Sequence, residues 1–132
     1  MNIEQIAKQL ADGIPRGGAT IDMQGAHVRE GIAVGIQDQS TKLDVGAAIN
    51  HDYAYRQIKA WLKGIETHYP EHLHSAGTAF GIWVDSGVVY LDVVRIYNEH
   101  DLVPALNLAR KHKQQAIQLL SPSVTMYLTF CG

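Results

Sequence analysis

Apolar and polar positions alternate with two different periods along this chain, and the places where the period changes divide it into elements. Ile3, Ile6, Ala7 and Leu10 recur at the i, i+3, i+4, i+7 spacing of one helical face, with Asn2 placed to cap the first turn and Gly13 and Pro15 ending the pattern. The spacing predicts a helix over residues 2–12, too short to stand without docking its stripe on something else. From Ala19 to Met23 the period drops to two, as it does from Glu30 to Ile36, and the simplest arrangement pairs these two strands antiparallel across the polar connection at 24–29. Residues 37–41 read as a polar turn, and 42–49 fit a short strand or a loop equally well.

The helical period returns with Ala54, Ile58, Trp61, Leu62 and Ile65, capped by Asn50 or Asp52, and this second helix is expected to cover the sheet with Trp61 as its largest contribution. A polar connection over 66–75 follows. It carries Pro70, His68, His72 and His74. Two nearly continuous apolar runs, 78–84 and 88–97, flank the turn Asp85-Ser86-Gly87, a pattern of central strands covered on both sides. Within the second run Val88, Tyr90, Asp92, Val94 and Ile96 share one face, and Val89, Leu91, Val93, Arg95 and Tyr97 the other. After a hinge at 98–101, Asp101 is placed to cap a third helix. Pro104 falls in its first turn, Leu102, Ala105, Leu106 and Ala109 form its stripe, and Arg110, Lys111, His112 and Lys113 complement the negative end of its dipole. Residues 115–120 and 124–130 read as two strands around Ser121-Pro122-Ser123, the last tied into the sheet or lent to a neighbouring chain. The expected fold is one α+β domain over residues 1–132, with three helices on a mainly antiparallel sheet of five or six strands in the order α-β-β-α-β-β-α-β-β.

Composition narrows the function classes. The 132 residues suffice for one core, and 46% hydrophobic against 18% charged residues is the balance of a chain that folds alone. A net charge of -2 lacks the basic footprint of a general nucleic-acid binder, so a nucleic-acid partner is not expected, although Arg110 to Lys113 form the one local basic run that would serve it. The single Cys131 excludes an intrachain disulfide and suits a reducing cytoplasm. No leader pattern and no apolar stretch of membrane-spanning length is read, and the chain is expected to be soluble and cytoplasmic.

Three groups of residues carry candidate chemistry. Arg16-Gly17-Gly18 allows backbone N–H groups to approach a phosphate, but it has neither P-loop nor GxGxxG spacing, and an ordinary turn is the stronger reading. His72 and His74 in an extended segment would project two imidazoles to one side, with His68, Glu66 or Glu71 as a third ligand. Pro70, however, breaks the helical spacing of His68 and His72, so a histidine-bearing surface loop without a metal is expected, and no cofactor. Asp92 is a carboxylate inside an apolar strand. Burial there demands hydrogen bonds or a raised pKa, and either state serves catalysis or, more commonly, structural pairing.

The segments Gly81-Ile82-Trp83-Val84-Asp85, Gly87-Val88-Val89-Tyr90-Leu91-Asp92-Val93, Ala109-Arg110-Lys111 and Gln115-Ala116-Ile117 resemble a small domain found in bacteriophage and mobile-element proteins, and the stretches at 17–20 and 30–34 are similar to its N-terminal half. The run from Leu119 to Gly132 departs from that pattern. The domain carries no established activity, so the resemblance implies a context, a phage or prophage accessory protein in a host cytoplasm, and transfers no functional residue. Together these features favour a non-enzymatic binding protein that recognises a host protein or a small ligand through Trp83, Tyr90 and Tyr97, with Arg110, Lys111 and Lys113 as further binding residues and a homodimer formed through sheet edges. The alternative is a small hydrolase, metal-dependent or not, using Asp92 with the 68–74 histidines or with His51 and Asp52.

Overall fold

The computed structural model describes residues 1–36, 41–43, 46, 50–74, 76–98, 102–111, 116–120 and 123–127. The first apolar stripe forms α1 (Ile3–Gly13), whose free first-turn N–H groups are partly satisfied by the Asn2 Oδ1, which accepts from the Gln5 N–H at 3.1 Å. A 3-10 turn, Ile14–Arg16, carries the chain into β1 (Gly18–Asp22). After β2 (Ile32–Gly35) and the two-residue β3 (Thr41–Lys42) comes α2 (His51–His68). Of its two possible caps Asn50 serves, accepting from the Tyr53 N–H at 3.0 Å, while Asp52 turns outward to Arg56 at 3.2 Å. The hairpin is β4 (Thr78–Asp85) and β5 (Val88–Tyr97), followed by α3 (Leu102–Lys111), β6 (Ala116–Leu120) and β7 (Ser123–Tyr127). The chain is thus the expected α+β fold, with β3 as one strand more than the expected order contained.

All strand pairings are antiparallel, in the order β1-β4-β5-β2-β6-β7, and β3 lies beside β2 on the same edge of β5. The expected β1–β2 pair does not form. The Asp22 carboxylate accepts from the Gln24 and Ala26 N–H groups, both at 2.9 Å, and folds the connection into a tight turn. Residues 27 and 28 then return along β1, with a bridge between Ile21 and His27 and a bond from the Val28 N–H to the Thr20 carbonyl at 2.9 Å. That edge is therefore occupied, and β2 crosses to the far side of the hairpin, onto β5.

Alternation along β4 and β5 decides the two layers. Phe80, Ile82, Val89, Leu91 and Val93 face the helices and meet Ile6, Leu10, Ile58 and Leu62 in the main core. Leu108 of α3 packs on the same core, so all three helices lie on one face of the sheet. Phe80 is fully buried at its centre, edge-to-face with Trp61, their ring centroids 5.9 Å apart at 82°. The other face carries a smaller cluster of Ala33, Ala79 and Val94, bordered by Val28, Ile96 and Leu120. Asp101 as a cap, the turn at 37–40 and most of 44–49 fall outside the described residues.

Phe80→Ala would remove the side chain about which α1, α2 and the hairpin pack. A loss of about 3–5 kcal/mol in urea unfolding, with an unchanged slope, is expected.

Candidate functional site

The two catalytic groupings read from sequence are not assembled. Asp92, 4% exposed, sits on the helix-free face opposite Gly81. His68 closes α2 at the other side of the sheet, and His72 lies in a 3-10 turn, Pro70–Leu73, rather than in an extended segment, so His72 and His74 lose the geometry that would aim them together. The turn is held by the Thr78 hydroxyl, which donates to the His72 carbonyl at 2.8 Å. Thr78 precedes Phe80 by two residues and so shares its helix-side face, opposite to that of Asp92. The His72 ring stacks on Tyr69 at 5.6 Å. Among the described residues no group of three or more His, Cys, Asp and Glu side chains is placed to hold a metal ion.

His51 does meet a carboxylate, but it is Asp12 rather than Asp52: the Nε2 to Oδ1 distance is 2.6 Å, and both side chains are about half exposed. The contact joins the end of α1 to the start of α2 at the rim of an open cavity of about 520 Å³. Glu4, Lys8 and Tyr55 also line it, with no serine, threonine or cysteine to act as nucleophile. It reads as a tie between helices.

The binding residues separate by face. Tyr97 belongs to the helix-side set of β5 and pairs with Ile32. Arg110 and Lys111 end α3, also on the helix side, and Lys113 lies outside the described residues. Trp83 and Tyr90, by contrast, are register partners on the helix-free face, with rings stacked 5.5 Å apart at 14°. From β3, Lys42 pairs with Tyr90 and places its Nζ 5.8 Å from the centre of that ring, a cation–π distance. On the other flank the partner of Trp83 is Gly18 of β1. A Cβ there would lie 2.6 Å from the Ile82 carbonyl oxygen and 3.3 Å from the Trp83 Cα, so close strand approach requires glycine.

One row across the sheet therefore reads Gly18, Trp83, Tyr90, Lys42: an empty side-chain position, two stacked rings and a cation. Trp83 remains 36% exposed although it is packed on Tyr90. This row can take a planar group, which would extend the stack beyond Trp83 over Gly18. Lys42 escaped sequence reading because it carries no motif, and Gly18 was read there only within the turn Arg16-Gly17-Gly18; the registers of β1 and β3 are what bring the two beside the hairpin.

If His51 and Asp12 form a local tie, a double-mutant cycle with His51→Ala and Asp12→Ala in urea will show a coupling of about 0.2–1 kcal/mol, typical of exposed pairs, with each single variant keeping the native far-ultraviolet spectrum.

Comparison with protein-family models, with curated proteins and with solved structures finds no match for this chain.

Proposed function

We propose that this protein is a non-enzymatic binding module that takes a small, ring-bearing ligand against Trp83 on the helix-free face of its sheet. The observation that carries the reading is the row itself: a large aromatic side chain, already held upright by Tyr90, keeps over a third of its surface in solvent beside a position with no side chain. A stacking surface fixed in advance costs little ordering entropy when a ligand arrives. Lys42 makes the stack electrostatically asymmetric, drawing on the π-density of Tyr90 from the side away from Trp83.

A protein partner, the other occupant expected from sequence, finds less to hold. The exposed large apolar side chains among the described residues are three, Met1 before α1, Tyr69 after α2 and Trp83 on β4. Association of two copies belongs to the reading through β7, which pairs with β6 and carries no further strand among the described residues. No helix among the described residues is long and apolar enough to cross a membrane. The phage or prophage context implied by the resemblance, and with it a host cytoplasm, belongs to this proposal.

Adenosine serves as the ring probe. It is expected to quench the fluorescence of Trp83 in the native chain and to lose that effect in Trp83→Leu, whose melting temperature should stay within about 4–8 °C of the parent because an exposed side chain contributes little to the core. Equal quenching in the Trp83→Leu variant would move the signal to Trp61 and end the reading.

A further inference from the structure

The two ends of the sheet are finished differently. At the β1 end residues 27 and 28 run back along the outer edge, through the Ile21–His27 bridge and the bond from the Val28 N–H to the Thr20 carbonyl. At the other end β7 pairs with β6, and its outer edge meets no strand among the described residues. Natural sheets guard an open edge with a charge, a proline or a bulge, because a bare edge is a template for another chain. β7 has none of the three. Ser123 to Tyr127 contains no proline and no charged residue, and its five pairs with β6 run consecutively, without a bulge. The lack of charge extends well beyond the strand: no Asp, Glu, Lys or Arg occurs from Gln114 to Gly132, although such residues make up 18% of the whole chain.

The β6–β7 hairpin is also tied to the sheet over a short length. β2 meets β6 at two register positions, Ile32 with Leu119 and Ala33 with Gln118, and the Leu120 N–H donates to the Gly31 carbonyl at 2.9 Å. Ala116 and Ile117, with their partners Tyr127 and Met126, continue past that contact as a two-stranded ribbon. Such a ribbon is marginal in water, and a third strand stabilises it. β7 offers its full length to one.

We infer that two copies of this chain join β7 to β7 antiparallel about a two-fold axis, making one sheet that is continuous through both. Pairing all five residues puts the axis at Thr125, with Val124 of each copy opposite Met126 of the other. An uncharged strand suits itself as a partner, since no like charges face each other across the axis, and it gives a charged foreign strand nothing to pair with. The single open edge also fixes the number of copies. A filament needs two free edges, and with that of β1 occupied the isologous pairing closes at two. The axis stands perpendicular to the sheet, so the helices of both copies fall on one side and both Trp83 side chains on the other. This inference gives the association of two copies a geometry, and it does not rest on Trp83 being a stacking surface.

The test uses the full chain. Sedimentation equilibrium is expected to give twice the 14.6 kDa of one copy, and the melting temperature should rise with protein concentration. Thr125→Lys and Thr125→Glu each set like charges across the axis and should weaken the dimer by roughly tenfold or more, each variant keeping the native far-ultraviolet spectrum. An equimolar mixture of the two should recover the double mass, because Lys then faces Glu; a variant that had merely misfolded would not recover on mixing. A native chain that sediments as one copy at every concentration overturns the inference. So does a dimer that both charges leave intact, since its interface then lies elsewhere, and so does a mixture that fails to recover. Mass that climbs past two copies overturns the two-fold closure. Adenosine quenching should persist in Thr125→Lys, so that failure of the dimer and failure of the Trp83 surface are read separately.

Discussion

The pairing of β4 with β5 is the constraint on which the rest of this molecule depends. Eight consecutive register pairs, from Thr78 with Arg95 to Asp85 with Val88, form one continuous ladder. Every other strand attaches directly or indirectly to that ladder: β1 to β4, β2 and β3 to β5, β6 to β2 and β7 to β6. Because side chains alternate, fixing this one register also decides which residues meet the helices. Slipping β5 by one residue against β4 would turn Leu91 and Val93 out of the core and put Asp92 in their place. The helices then have little freedom. α1 and α2 must cover Phe80 and its neighbours, and the stripes that do so are those written into their sequences.

The two faces of the sheet have different physical tasks. The helix side holds large side chains at close packing, where each fully buried aliphatic or aromatic residue contributes about 1.5–3 kcal/mol. The opposite face is built from small residues along much of its middle, Ala33, Ala79 and Gly81, with Val94 and Asp92 closely covered. Its largest side chains, Trp83 and Tyr90, stand at the turn end of the hairpin. Large rings placed there add little to the principal core, which explains how they can be kept accessible. An aromatic pair of this kind is free to be shaped by a ligand.

The hairpin, the three helices and the alternation of β5 were legible because their signals are local: a period of two or of 3.6, a capping asparagine, a turn closed by glycine. Pairing partners were not. Ala19 to Met23 and Glu30 to Ile36 look like a hairpin by proximity, yet the Asp22 side chain closes its own turn and lets residues 27 and 28 take the edge instead. β3 has two residues, below the length at which any period can be seen. Trp83 and Tyr90 were legible as neighbours. Tyr97 was not separable from them as a binding residue by type alone, although its place in the alternating set already put it on the other face. His72 failed as a metal ligand for a local reason, since Pro70 starts a 3-10 turn where an extended segment was needed.

Gly18 joins these strands of evidence in one residue. Backbone closeness alone accounts for it, because a Cβ would press on the Ile82 carbonyl oxygen. The same missing side chain leaves the outer side of Trp83 uncovered, and in the proposed reading that is where a planar ligand extends the stack of Trp83 on Tyr90.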